Sequence, residues 1–308
     1  MYLSTQGGDP QVFHVTLARF NRARTAVAMP SPDWEETERI ACEMKIAEGH
    51  FLEELRLSIQ DMTRDIPRDA AQFVAWFESL MHWGPGQFHP LFDWLAKRAS
   101  ADEVKWFLTQ EAAGEAGFDD LVAYTQMKLP VRAKLECARN YWDEMGRGKA
   151  KAMHGPLLDA MVEELQLTPR IETTVWESLA LANTMLGLAS SRRYTYHSLG
   201  ALGAIELTAP WRAAQVSLAM QRLKFPRKAR RYFDLHATLD IAHSRAWNNE
   251  IIGPLVAANP EAAQYLAEGA LMRLRCGQRC YERYSQALKA GSATPTTKTM
   301  PAGETTAA

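Results

Sequence analysis

His236, Asp240 and His243 lie in the run Tyr232-Phe-Asp-Leu-His-Ala-Thr-Leu-Asp-Ile-Ala-His243, separated by four and then three residues. On a helix that spacing gathers all three within about 60° of one face. Tyr232, Phe233, Leu239 and Trp247 share the face, while Arg227, Arg230, Arg231, Asp234, Thr238 and Arg245 lie opposite. Two imidazoles and a carboxylate thus project into an apolar interior. Burying an unpaired charge is costly, so such groups are either paired or bound to metal. Imidazole with carboxylate suits Fe(II), Mn(II) or Zn(II). A hydrogen-bonded His–Asp core pair with a spare histidine fits the same pattern.

Four other segments carry acids on apolar faces. Val104, Phe107, Leu108, Glu111, Glu115, Phe118 and Val122 fall on one stripe, with two glutamates at its centre. In Asn140-Tyr-Trp-Asp-Glu-Met-Gly-Arg-Gly, Glu144 turns toward Ala133, Cys137 and Asn140. His154 follows ten residues on, after Gly146 and Gly148, where a break can re-aim it. Asp143 falls beside Arg132, Glu136 and Arg139, with Arg139 as its expected ion partner on a solvated face. Leu199, Leu202, Gly203 and Glu206 share a further face before Pro210. Glu177, beside Leu181, Thr184 and Leu188, is expected to support a ligand or touch substrate.

Glu111, Glu144, Glu206 and Asp240 carry −4 when ionised, and two divalent cations carry +4. Four carboxylates with three histidines are neutral around two metals and self-repelling without them. Oxygen-rich ligation favours a di-iron or di-manganese centre over structural zinc.

The elements that must position these groups read as helices throughout, with no alternation of strand length. Helices are expected over 34–62, 67–83, 91–98, 101–127, 131–145, 154–165, 169–190, 196–207, 210–223, 227–247 and 260–289. Several begin at prolines, which are tolerated in a first turn. The expected organisation is all-α: an N-terminal segment 1–32, a helical extension 33–100 packed on the core, a core 101–288, and a disordered tail 289–308. The extension's apolar faces (Ile40, Met44, Phe51, Leu55; Phe73, Phe77, Leu80) could cover the core or form a homodimer interface.

Composition narrows the class. The 308 residues hold 35 basic and 36 acidic side chains, a net charge of −1, which argues against nucleic acid as partner. No apolar run reaches membrane-spanning length, and no secretory signal opens the chain. Four scattered cysteines make no disulfide framework, so a cytoplasmic location with reduced thiols is expected.

The order Glu144-x9-His154, then Glu206, then His236-x3-Asp240-x2-His243 resembles the haem-oxygenase-like di-iron oxidases and oxygenases, the iron-containing redox enzymes. Asn140–Gly148 with Met153-His-Gly155 looks like that family's metal-binding helix, and Tyr232–His243 like its terminal His/Asp/His group. The resemblance covers residues 104–288. It implies a haem-oxygenase-like helical bundle, two Fe(II) ions and O2 as co-substrate. Carried over, His154 falls on the first-iron histidine and Glu144 on the bridging carboxylate. Glu111 falls on the early-helix glutamate, with Glu115 as the alternative, and Glu206 on the later core helix. His236, Asp240 and His243 complete the set.

The implied function is O2-dependent oxidation of a small organic molecule, by N-oxygenation of an amine or by oxidative C–C cleavage. Tyr141, Trp142 and Trp247 would shape the surroundings. The competing possibilities are a thiaminase-like hydrolase, for which Cys137 is the candidate nucleophile, a cofactor-independent oxidase, and a non-catalytic metal-dependent binding protein. Haem binding would need one of His14, His50, His82, His89 or His197, none of which stands out on a core face.

Overall fold

A computed structural model describes residues 8–291. The expected disordered tail falls almost wholly outside these residues. In chain order the helices are α1 (Pro10–Thr25), α2 (Trp34–Leu57), α3 (Ala70–Trp83), α4 (Pro90–Lys97), α5 (Ala101–Ala113), α6 (Phe118–Thr125) and α7 (Val131–Glu144). They continue as α8 (His154–Leu165), α9 (Trp176–Ser190), α10 (Thr195–Arg222), α11 (Arg227–Trp247), α12 (Gly253–Ala258) and α13 (Ala262–Gly291). No strand occurs among the described residues, and no described helix is long and apolar enough to cross a membrane.

Helix α10 is the axis of the bundle. Nearly every side chain from His197 to Thr208 is buried, and the helix packs on α11, α13, α4 and α9. Its approach to α13 is set by missing side chains. A Cβ on Gly200 would lie 1.9 Å from the Leu266 carbonyl oxygen, and one on Gly269 would lie 1.9 Å from that of His197. Only glycine lets two helix backbones come so close.

The N-terminal helices share this core. Phe51, Leu52, Leu55, Phe73, Phe77 and Leu80 are buried in one cluster with Leu199, Leu202 and Trp247. Ile40, counted on the apolar face of α2, is exposed. Helix α1, which hydrophobic periodicity leaves ambiguous, docks on α9 through polar groups. The Asn21 amide donates to Asn183 Oδ1 at 2.9 Å, and the Asn183 amide to the His14 carbonyl at 3.1 Å. His14 and His197 are buried after all, yet each is held in place. His14 stacks on Trp176, and His197 Nε2 lies 3.0 Å from Glu268 Oε2.

Three expected boundaries move. The helix expected over 101–127 breaks at Gly114, and the chain turns through Gly117 (φ 76°) before α6. The helix expected from Pro169 begins at Trp176, after a short 3₁₀ turn at Ile171–Thr173. The break expected at Pro210 is absent, because α10 runs through it. Pro210 has no N–H for the carbonyl of Glu206 one turn earlier. Packing on α11, α13, α4 and α9 along its length carries the helix across that lost bond.

Candidate metal centre

Glu144 is the last residue of α7 and His154 the first of α8. Between them Gly146, Arg147 and Gly148 all take positive φ (61°, 53° and 80°), so the chain doubles back. A Cβ on Gly146 would meet the Ala152 carbonyl carbon at 2.6 Å. The reversal brings His154 Nδ1 to 2.9 Å from Glu144 Oε2.

Helix α11 crosses this corner. Its buried residues include His236, Asp240 and His243, while Arg227, Lys228, Arg231 and Arg245 stay in solvent or at its edge. His236 Nε2 lies 3.7 Å from Glu144 Oε2, and His243 Nδ1 lies 3.6 Å from Glu144 Oε1. Helix α10 supplies Glu206, whose Oε1 is 3.5 Å from His243 Nδ1 and accepts from the Asn140 amide at 2.6 Å. Two groups of donor atoms have the mutual spacing of a metal site: Glu144 with His154 and His236, and Glu144 with Asp240 and His243. Glu144 belongs to both.

Outer partners aim the imidazoles. His236 Nδ1 lies 2.7 Å from the Tyr232 carbonyl, which can only accept, so Nδ1 carries the proton. In the neutral ring the lone pair is then at Nε2, which faces Glu144 and has no hydrogen-bond partner. His243 Nε2 lies 3.3 Å from Asp143 Oδ2, which leaves Nδ1 turned inward without a partner. Carboxylate–histidine and carbonyl–histidine pairs of this kind orient imidazoles on metals. Asp240 Oδ1 is also buried and unpartnered. Three orphaned atoms converging on shared carboxylates are what a pair of cations would satisfy, so the donor set fits two metals.

The electrostatics agree. Burial pushes the His154 imidazole down, but the neighbouring Glu115 and Glu144 carboxylates win and raise it to about 10. For His243, burial is outweighed by Glu206 and Glu144, and its pKa rises to about 9. Burial pushes Glu144 up, but its hydrogen bond to His154 and the nearby imidazole of His236 win and hold it well below the carboxylate range. Burial pushes Asp240 well up, helped by the charges of Glu206 and Glu144. Protons do the neutralising where cations are absent.

The break after α5 separates the two early glutamates. Glu115 lies in the connection, accepts from the Gly117 N–H at 3.0 Å, and has Oε1 3.6 Å from His154 Nε2. Glu111, on α5, is pushed up by burial, with Arg212, Tyr284 and Arg273 as its opposing neighbours. Both line a cavity of about 140 Å³ beside the cluster. Glu177 does not line it, and has Oε1 3.9 Å from Arg283 Nε.

Some groups escaped the helical wheels. Asp143 does not pair with Arg139. Arg139 binds Glu136 at 2.6 Å, while Asp143 accepts from Arg147 at 2.6 Å and reaches His243. The glycine turn that re-aims His154 is also what brings Arg147 back. The Tyr232 hydroxyl lies 3.2 Å from His154 Nε2. Arg212 and Arg273 line the cavity, and no sequence spacing announced either. Trp247 is fully buried, with its Nε1–H donating to the Leu199 carbonyl, whereas Trp142 is exposed.

The all-α bundle and its buried His/carboxylate cluster define a class that the family comparison makes specific. Residues 105–278 match the model of the iron-containing redox enzyme family, and the chain belongs to that family, with its haem-oxygenase-like fold. A search of curated proteins finds no match. Among solved structures, the chain is similar to a CADD-like protein of unknown function from Nostoc punctiforme PCC 73102. Its 2.00 Å structure superposes with a TM-score of 0.52 at 19% identity, over 79% of this chain and 99% of that one. A 1.35 Å structure carrying the same description gives 0.51 at 20% identity, over 82% and 100%. That likeness concerns the fold.

Proposed function

We propose that this protein is a non-haem di-iron oxidoreductase that uses O2 to oxidise a small organic substrate, by oxygenating an amine nitrogen or by oxidative C–C cleavage. The observation that carries this reading is Glu144. It is shared by two groups of metal-donor atoms, and the inward nitrogens of His236 and His243 have no other partner. On this reading Glu144 would be shared by both ions. His154 and His236 would hold one, with Glu115 adjacent to His154, and Asp240 and His243 would hold the other, with Glu206 beside His243. Two Fe(II) ions would supply the electrons through which triplet O2 reacts with a closed-shell molecule.

The chain's own residues do the rest. The Tyr232 carbonyl and Asp143 fix the imidazole protons on the outer nitrogens. The Tyr232 hydroxyl holds His154 from the side. Leu158, Met161, Val216 and Phe233 line the cavity and keep water from the cluster. Its volume of about 140 Å³ is well below that of pockets for drug-sized ligands, which suits a small substrate.

The hydrolase reading needs a nucleophilic thiol. Cys137 does not line the cavity, and burial pushes its thiol up to about 12. A thiol so rarely ionised at neutral pH is a poor nucleophile.

The test is O2 uptake by protein loaded anaerobically with Fe(II). Wild type is expected to consume about one O2 per two irons, faster than free Fe(II) does. His236→Ala and Asp240→Ala should fall to the rate of free Fe(II). Uptake by wild type at that same rate would contradict the proposal.

A further inference from the structure

The cavity beside the cluster also receives two guanidinium groups. Arg212 comes from α10 and Arg273 from α13. Arg212 donates from Nε to the Thr208 carbonyl at 3.3 Å and from Nη1 to the Tyr281 hydroxyl. Those bonds fix the direction of its fork and leave its charge unpaired. Arg273 is only 7% exposed, its Nε has no hydrogen-bond partner, and no described carboxylate forms an ion pair with it. Glu111 is an acid on which both arginines act, and Glu115, the other acid on that side, faces His154. Two guanidinium groups against Glu111 leave the arginine end of the cavity net positive, with or without metal. A buried, unpartnered guanidinium is unfavourable, and an arriving anion relieves it. The planar fork matches a carboxylate in a way a point charge does not.

We propose that Arg212 and Arg273 anchor the carboxylate of the substrate, which is therefore a small organic acid. Its apolar body lies along Leu158, Met161, Leu181, Val216 and Phe233, and its other end meets the Glu144 cluster. Glu206 and Arg212 are six residues apart on α10, about 9 Å along the axis, so a short chain or one ring spans the gap. Which end reacts rests on the di-iron reading, whereas the anchor itself does not.

The test is calorimetric binding of hexanoate, hexanamide and hexylamine to the metal-free full-length chain, with butanoate, octanoate and benzoate to cover size. An acid of this series is expected to bind, with its amide and amine weaker by about tenfold or more. Arg273→Met and Arg212→Met should weaken the acid by a similar factor. Binding that Arg273→Met leaves unchanged, equal binding of acid and amide, or no binding by any acid overturns the proposal. Binding that appears only with metal and disappears in Glu144→Ala places the carboxylate on the ions, which sinks the anchor and spares the metal reading. Binding lost in Arg273→Met by a protein that takes up no iron does the reverse. Should the arginine variants not fold, wild-type crystals soaked with 6-bromohexanoate decide. A carboxylate on Arg273 supports the anchor, and one elsewhere refutes it.

Discussion

The Glu144 carboxylate and the His236 imidazole face each other across 3.7 Å with no hydrogen bond between them. The proton that could have joined them is committed to the Tyr232 carbonyl on the other side of the ring. Such a gap between a lone pair and an anion is one that a cation would fill. His243 Nδ1 stands 3.6 Å from Glu144 in the same way, with Asp143 at its outer nitrogen.

Asp143 is therefore expected to tune metal affinity without touching metal. Asp143→Asn should weaken Fe(II) binding by about 10- to 100-fold, with the far-UV circular dichroism unchanged. Equal affinity in a competition titration against a chelator would show that the Asp143–His243 contact is incidental.

Metal uptake should expel protons. At pH 7 the metal-free protein holds protons on His154 and His243, raised to about 10 and about 9. Each must leave before its atom can ligate, so about two or more protons should be released per chain filled. Calorimetry in buffers of different ionisation enthalpy counts them, and apparent affinity should climb with pH.

The metal-free fold should weaken at alkaline pH. His154 and His243 rise above the ordinary value of 6.5, so their stabilisation is complete below that value. It is lost as pH climbs through about 9 and then about 10. Glu144, held low, acts oppositely, and its contribution disappears only in acid. Urea midpoints measured between about pH 7 and about pH 10.5 should fall in metal-free protein and change less with metal bound.

The α10–α13 crossing predicts a purely structural lesion. Gly269→Ala puts a methyl group 1.9 Å from a backbone oxygen that cannot swing away. A loss of about 3 kcal/mol or more in unfolding free energy is expected. A loss below about 1 kcal/mol would mean that the helices separate easily.

Much of the site was legible because three ionisable groups on α11 share a greasy face, and because two glycines flagged the turn before His154. The helical wheel failed where the helix did. Glu111 and Glu115 looked one turn apart on a single helix, but α5 ends at Gly114, between them, and Glu115 lies in the connection to α6. Asp143 pairs with Arg139 if only the α7 wheel is considered, whereas its partners arrive from Arg147 within the turn and from α11. Arg212 and Arg273 were invisible for a related reason. Long side chains on separate helices meet in a cavity that no single wheel describes. Helix α1 was missed because it docks through Asn21 and His14 as well as Phe13 and Leu17, which blurs its period.

The central claim is that Glu144 is shared by two metal ions, and an anaerobic Fe(II) titration tests it most directly. Wild type should bind about two irons per chain on this ligand count. Glu144→Ala should disturb both sites, while His236→Ala and His243→Ala each remove one. A stoichiometry that stays the same in wild type, Glu144→Ala and His236→Ala would contradict the account.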